Sequence, residues 1–239
     1  MLYSRRHRIA FAHYPKTAGS SVQRWFFDTF ADAVLLDVDN PHLSVEQSLR
    51  LLRPPRWQKE ALRVGRGSLR LVSPTLANQC RPFPEMLRVV GVLRDPFDML
   101  VSLFEFWKRE PFAVEPVDPF IQCARRGCFR DFVAAAVIGS RVPTYEQFFG
   151  VGGPLWPNTH LLDFETIQPA LDRLCADLGI RNHRPLSALN RAPSGGHDRT
   201  RYRDEAGPLV AEVARYFRWY HEEGVRLMIR GDRPLRAAA

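Results

Sequence analysis

Apolar residues along this chain follow two alternating rhythms. A short, unbroken apolar run ends at a tight polar loop, and a stretch with apolar positions three and four apart follows. The first such unit covers residues 8–30. Residues Arg8–Tyr14 predict a short buried strand, PKTAGSS a loop, and Val22, Trp25, Phe26 and Phe30 one face of a helix. The second unit begins at RVVGVL (88–93), whose continuous apolar character suits a strand covered on both faces. Behind Pro96, which fits the first position of a helix, Leu100, Leu103, Phe104 and Trp107 recur at helical spacing.

The remaining pattern is less regular. ADAVLLDV (31–38) and LRLVS (69–73) predict strands, and HLSVEQSLRLL (42–52) a helix. The basic segment 53–70 predicts a surface loop, and 110–120 is proline-rich and irregular. RDFVAAAVIG predicts a helix, FGVGGPLWP a loop and HLLDFE (160–165) a strand. PALDRLCADLGI (169–180) predicts a helix closed by Gly179. Residues 189–203 read as a basic loop. Residues 205–229 read as one long helix with Leu209, Val213, Phe217 and Tyr220 inward. Strands alternating with helices predict one α/β domain over 1–239, with three layers and a central parallel sheet.

Composition adds little to this. A chain of 239 residues can bury a large core, and 45% hydrophobic with 25% charged residues excludes a disordered or fibrous chain. The net charge of +8 favours anionic partners, although a solvated basic surface accounts for it equally well. The four cysteines, Cys80, Cys123, Cys128 and Cys175, match no zinc or redox spacing and are expected to be reduced. No stretch approaches the roughly 18 apolar residues of a membrane span, and the N-terminal apolar run is short for a signal peptide. The expected location is therefore cytoplasmic.

The candidate chemistry lies in the two loops. The chain has three lysines among 34 basic residues, and Lys16 stands inside PKTAGSS. A loop between a parallel strand and a helix lies where ligands of such sheets bind. The first helical turn offers unpaired N–H groups and a partial positive charge. Gly19 permits close approach, Thr17, Ser20 and Ser21 add hydroxyls, and Lys16 adds a point charge, which together suit a phosphate. The nucleoside triphosphate motif GxxxxGK[ST] places its lysine after the glycine, whereas here it comes before. A serine-capped turn is the plain alternative. In RDPFDMLVS, Arg94 ends a strand and Ser102 lies two helical turns on. Arginine there could clamp a second phosphate. A local Arg94–Asp95 ion pair with a helix cap is the alternative.

PKTAGSS and RDPFDMLVS, in this order and about 80 residues apart, resemble the paired motifs of the sulfotransferase superfamily. The similarity is greatest to its carbohydrate-type and bacterial branch. HLLDFETI…LCADLGI and LNRAPS before a C-terminal helix are also similar to that branch. The resemblance covers most of 8–225 and is loose across 40–85 and 110–160. It implies a P-loop-like nucleotide-binding fold and a donor, 3′-phosphoadenosine 5′-phosphosulfate, with 3′-phosphoadenosine 5′-phosphate as product. Pro15, Lys16, Thr17, Ala18, Gly19, Ser20 and Ser21 would hold the 5′-phosphosulfate, and Arg94 and Ser102 the 3′-phosphate. Lys16 would neutralise charge on the leaving phosphate, and no metal is expected. Arg191 of LNRAPS would close over the donor or bind an anionic acceptor; an exposed loop arginine is the alternative.

The family often carries a histidine or glutamate base before the second motif, and the window LVSPTLANQC (71–80) contains neither. His42 is the leading substitute, with Glu46 one turn away to hold or replace it; a helix-capping histidine is the alternative. The expected acceptor is a hydroxyl of a carbohydrate or glycolipid, anionic ones included. Segments 53–70 and 110–157 would set its specificity, and Trp57, Trp107 and Trp156 could stack on sugars. Competing readings are a catalytically weak donor-binding protein of the same fold and a P-loop phosphotransferase. A nucleic-acid partner is not expected, since the aromatics lie at core spacing.

Overall fold

The computed structural model describes residues 1–37, 39–52, 87–109, 118–181, 183–187 and 198–229. Five strands form one open sheet in the order β3-β1-β2-β4-β5. They are β1 (Leu2–Ser4), β2 (Ile9–Phe11), β3 (Ala33–Leu35), β4 (Arg88–Leu93) and β5 (Thr159–Asp163). Strands β2, β4 and β5 run parallel, with Phe11 opposite Val90 and Val90 opposite His160. Strand β1 is antiparallel to both β2 and β3. The expected parallel sheet is thus mixed. The difference comes from MLYS, which returns on β2 through a tight basic turn. Three residues are too few to show an alternating pattern in the sequence.

Helices cover both faces, so the three-layer arrangement stands. Ile9, Phe11, Val90 and Val92 bury against α1 (Gly19–Thr29). The helix α2 is Val45–Leu52, α3 Pro96–Arg109, α4 Pro119–Arg125, α5 Phe129–Val137, α6 Tyr145–Phe149 and α7 Ile167–Asp177. The last three are α8 (Arg199–Ala206), α9 (Leu209–Tyr216) and α10 (Val225–Ile229). Helix α7 joins α1 on the first face through Ile167, Leu171 and Leu174. Ala10, Val89, Leu93 and Leu161 meet the other layer, with residues of α2, α3, α5, α6 and α9. Burial of apolar side chains on both faces is the main force holding the sheet.

Gly91 lets α6 approach the sheet, because a Cβ there would lie 2.2 Å from Cε1 of Phe149. The predicted long C-terminal helix is broken: α9 ends at Tyr216, and Tyr220–Gly224 forms a π-helical turn before α10. Val213, Phe217 and Tyr220 do face inward, while Leu209 is half-buried. Helix α8 lies mostly where a basic loop was expected, and α4 and α6 lie largely in stretches to which the pattern assigned no element. The strand expected at 69–73 and the loop expected at 53–70 lie outside the described residues, as does 110–117. Cys123, Cys128 and Cys175 are free thiols; Cys80 is not among the described residues. Among the described residues, no helix is long and apolar enough to cross a membrane.

Adjacent parallel strands β2 and β4 send their following helices to opposite faces. Such a divergence opens a crevice beyond the carboxyl ends of the strands, where ligands of open α/β sheets bind. PKTAGSS lies on one side of that crevice and Arg94 on the other.

Candidate active site

Buried aromatics fix where the loop begins. Tyr14 is fully buried, its hydroxyl donates to Pro143 O at 2.5 Å, and its ring lies 4.6 Å from Tyr145 and 4.9 Å from Phe148. Thr17 is fully buried and donates to Tyr14 O at 3.0 Å. Its proton therefore ties the loop to itself instead of pointing at a ligand. Lys16 and Ala18 adopt left-handed φ values of 61° and 60°, with Thr17 between them at negative φ. Neither is glycine, and each such residue costs about 1 kcal/mol or more. Alternating left- and right-handed residues turn successive N–H groups toward one point, which is the geometry of an anion nest.

Helix α1 continues that nest. Its N-cap is Ala18, no side chain caps it, and its first turn has no acidic residue. The serine-capped turn is therefore not what forms. Ser20 is exposed and Ser21 buried in the first turn. The open N–H groups and the helix dipole face the crevice side of the loop. A Cβ on Gly19 would lie 1.6 Å from Nε2 of His13, so only glycine fits beneath that ring.

The second motif is built differently. Helix α3 is capped by its own carboxylate: Asp98 N donates to Asp95 Oδ1 at 3.0 Å. The cap expected of Asp95 is present, but its ion pair is with Arg199 at 3.3 Å. Arg94 instead reaches the loop, donating to Lys16 O at 3.2 Å across 78 residues of sequence. Its guanidinium lies 4.4 Å from the Phe164 ring centre, and its Nε is buried without a partner. Burial pushes its pKa down, and Asp98 and Glu165 push it back. Arg94 stays charged, with donor capacity left over. Tyr145 donates to Arg94 O at 2.8 Å and holds this strand end in place. Ser102 is half-buried on α3, one turn before Phe106, whose ring centre lies 4.3 Å from Lys16 Nζ.

His42 joins the cluster through His13. His42 Nδ1 lies 3.1 Å from His13 O, and the two rings are 4.3 Å apart, edge to face. A carbonyl only accepts, so Nδ1 carries the proton and neutral His42 keeps Nε2 as an acceptor. Although the residue is exposed overall, desolvation of its ring lowers its pKa, the hydrogen bond to His13 O raises it in part, and the N-terminal ammonium and then Lys16 lower it further, which favours the neutral ring at pH 7. His42 does not cap α2, because Ser44 and Gln47 do so reciprocally. Glu46 does not hold His42; it pairs with Arg50 at 2.7 Å on the surface.

The structure thus gathers Pro15 to Ser21, Arg94 and His42 about one crevice and places Ser102 on the bordering helix. Arg191, Trp57 and the window 71–80 lie outside the described residues. Trp107 and Trp156 are partly buried against the core, the latter 5.8 Å from Trp219. Sequence reasoning missed Phe106, Phe164 and Arg199. Phe106 could have been found, since it lies one turn beyond Ser102. Nothing local marks the other two. Among the described residues, no group of three or more His, Cys, Asp or Glu is placed to share a metal ion. Comparison of the chain with protein-family models, with curated proteins and with solved structures finds no match.

Proposed function

We propose that the chain is a sulfotransferase that moves a sulfuryl group from 3′-phosphoadenosine 5′-phosphosulfate to a hydroxyl of a carbohydrate or glycolipid. One observation carries this reading. An uncapped helix start, extended by left-handed Lys16 and Ala18, lies beside Arg94, which is hydrogen-bonded to the same loop. A donor with two anionic ends needs two positive sites on one sheet edge, and these residues fit that need. The donor, when bound, supplies the sulfuryl group and a stable bisphosphate leaving group.

This chain's residues have separate tasks in that reaction. The N–H groups of the nest and α1 bind the 5′ end, while Arg94 and Ser102 bind the 3′-phosphate. Lys16 offsets charge that grows on the bridging oxygen as the S–O bond breaks. Interactions that strengthen only in the transition state raise the rate. His42 Nε2 accepts the proton of the acceptor hydroxyl as its oxygen bonds to sulfur. The test is transfer of radiolabelled sulfur from the donor to a panel of sugars and glycolipids. Labelled product that disappears with Lys16→Ala supports the reading. Tight donor binding without transfer to any acceptor would favour a binding protein instead, and phosphate transfer from ATP would favour a phosphotransferase.

A further inference from the structure

Arg199 begins α8, far in sequence from either motif, yet its side chain lies at the start of α3. It pairs with Asp95 at 3.3 Å through one terminal nitrogen and with Asp98 at 2.9 Å through Nε. These carboxylates lie one and four residues after Arg94. Asp98 faces Asp95, Arg199, Arg94 and Arg203, and its pKa is raised first by burial and then by Asp95, against the three arginines. Arg94 in turn faces Asp98, Glu165 and Asp95. Two acids beside an anion-binding arginine present a conflict. Left to themselves, they would repel a phosphate and draw Arg94 away from the loop.

We propose that Arg199 is a positioning residue for the phosphate arm of the site: by holding Asp95 and Asp98 in ion pairs, it keeps Arg94 turned to the loop and open to an anion. The proposal rests on the bisphosphate-binding reading above. Arg199 acts through the carboxylates it pairs with. Its guanidinium suits this because two nitrogens of one rigid, planar fork reach two different carboxylates, a geometry that a single flexible ammonium holds less firmly. The pairs are one-quarter to one-half exposed, so their effect is modest and falls with salt.

Calorimetric titration of adenosine 3′,5′-bisphosphate into the full chain tests this. Arg199→Gln should weaken binding about five- to tenfold at low salt, and Arg199→Lys by less. Adding Asp98→Asn to Arg199→Gln should restore affinity to within about twofold, as coupled neighbours do. Adding Glu212→Gln, which changes net charge equally but pairs with Arg215 on α9, should not. Unchanged affinity in Arg199→Gln, or equal rescue by Glu212→Gln, overturns the proposal. If Arg199→Gln does not fold, Asp98→Asn alone should tighten binding, and failure to do so overturns it. Absence of binding by the unaltered protein is a different result, which removes the donor reading and this proposal together.

Discussion

Lys16 combines a strained backbone with a charge placed over Phe106. Strain of this kind persists where a site requires it, so stability and activity should respond oppositely to its removal. Lys16→Gly is expected to leave the fold as stable or up to about 1 kcal/mol more stable, while transfer falls about a hundredfold or more. Denaturant midpoints and initial rates check the two halves separately. His42→Gln should lower turnover by about a hundredfold while leaving bisphosphate affinity unchanged. Because desolvation of the ring and nearby positive charge hold His42 below its ordinary 6.5, turnover should stay level through neutral pH and fall only at lower pH. That acid limb should vanish in His42→Gln. At this scale the two motifs were legible because their residue types and order are unusual. Arg199 was not, since its partners lie about 100 residues away and a lone arginine in a basic loop carries no pattern.

Among the elements, the strands and helices that carry the site were the easiest to read. RVVGVL is buried on both faces and flanked by a sharp change of period, so β4 and α3 appear nearly where expected. Helices of five to eight residues offer too few periodic positions, which is why α4, α6 and α8 were missed. Thr144 and Gln147 do form a capping box at α6, a signal that its sequence carried. Helix α6 matters because it holds Tyr145 against the end of β4. Gly91→Ala would force Phe149 off the sheet. The expected loss is about 1–3 kcal/mol, with a parallel fall in bisphosphate affinity as Tyr145 shifts from Arg94 O. Chemical denaturation and calorimetry on the same samples measure both.

For the whole molecule, three layers followed from the alternation of strands and helices, but sheet direction did not. Hydrophobic pattern reports which face a strand buries, not which way it runs. The antiparallel β1 also shows that one three-residue strand can decide a sheet's class. Global stability should depend on pH through His13. Burial, then the charge of His42, pushes its pKa from 6.5 to about 3. The unfolded chain therefore binds a proton below pH 6.5 that the folded chain refuses until about pH 3. Stability from this residue is complete above that window and is lost as pH falls through it, by up to about 1.4 kcal/mol per pH unit. Denaturant titrations at pH 7, 5 and 4 should show the slope (each ± a structural check by circular dichroism), on the order of one proton per molecule.

In the proposed function one crevice holds two separate anions, one on the loop before α1 and one on Arg94. Calorimetry comparing adenosine 3′,5′-bisphosphate with adenosine 5′-monophosphate tests it most directly. The bisphosphate should bind one-to-one at about micromolar levels and the monophosphate at least about tenfold more weakly, with Arg94→Met erasing most of that difference. No bisphosphate binding, or equal affinity for the two nucleotides in the unaltered protein, would contradict it.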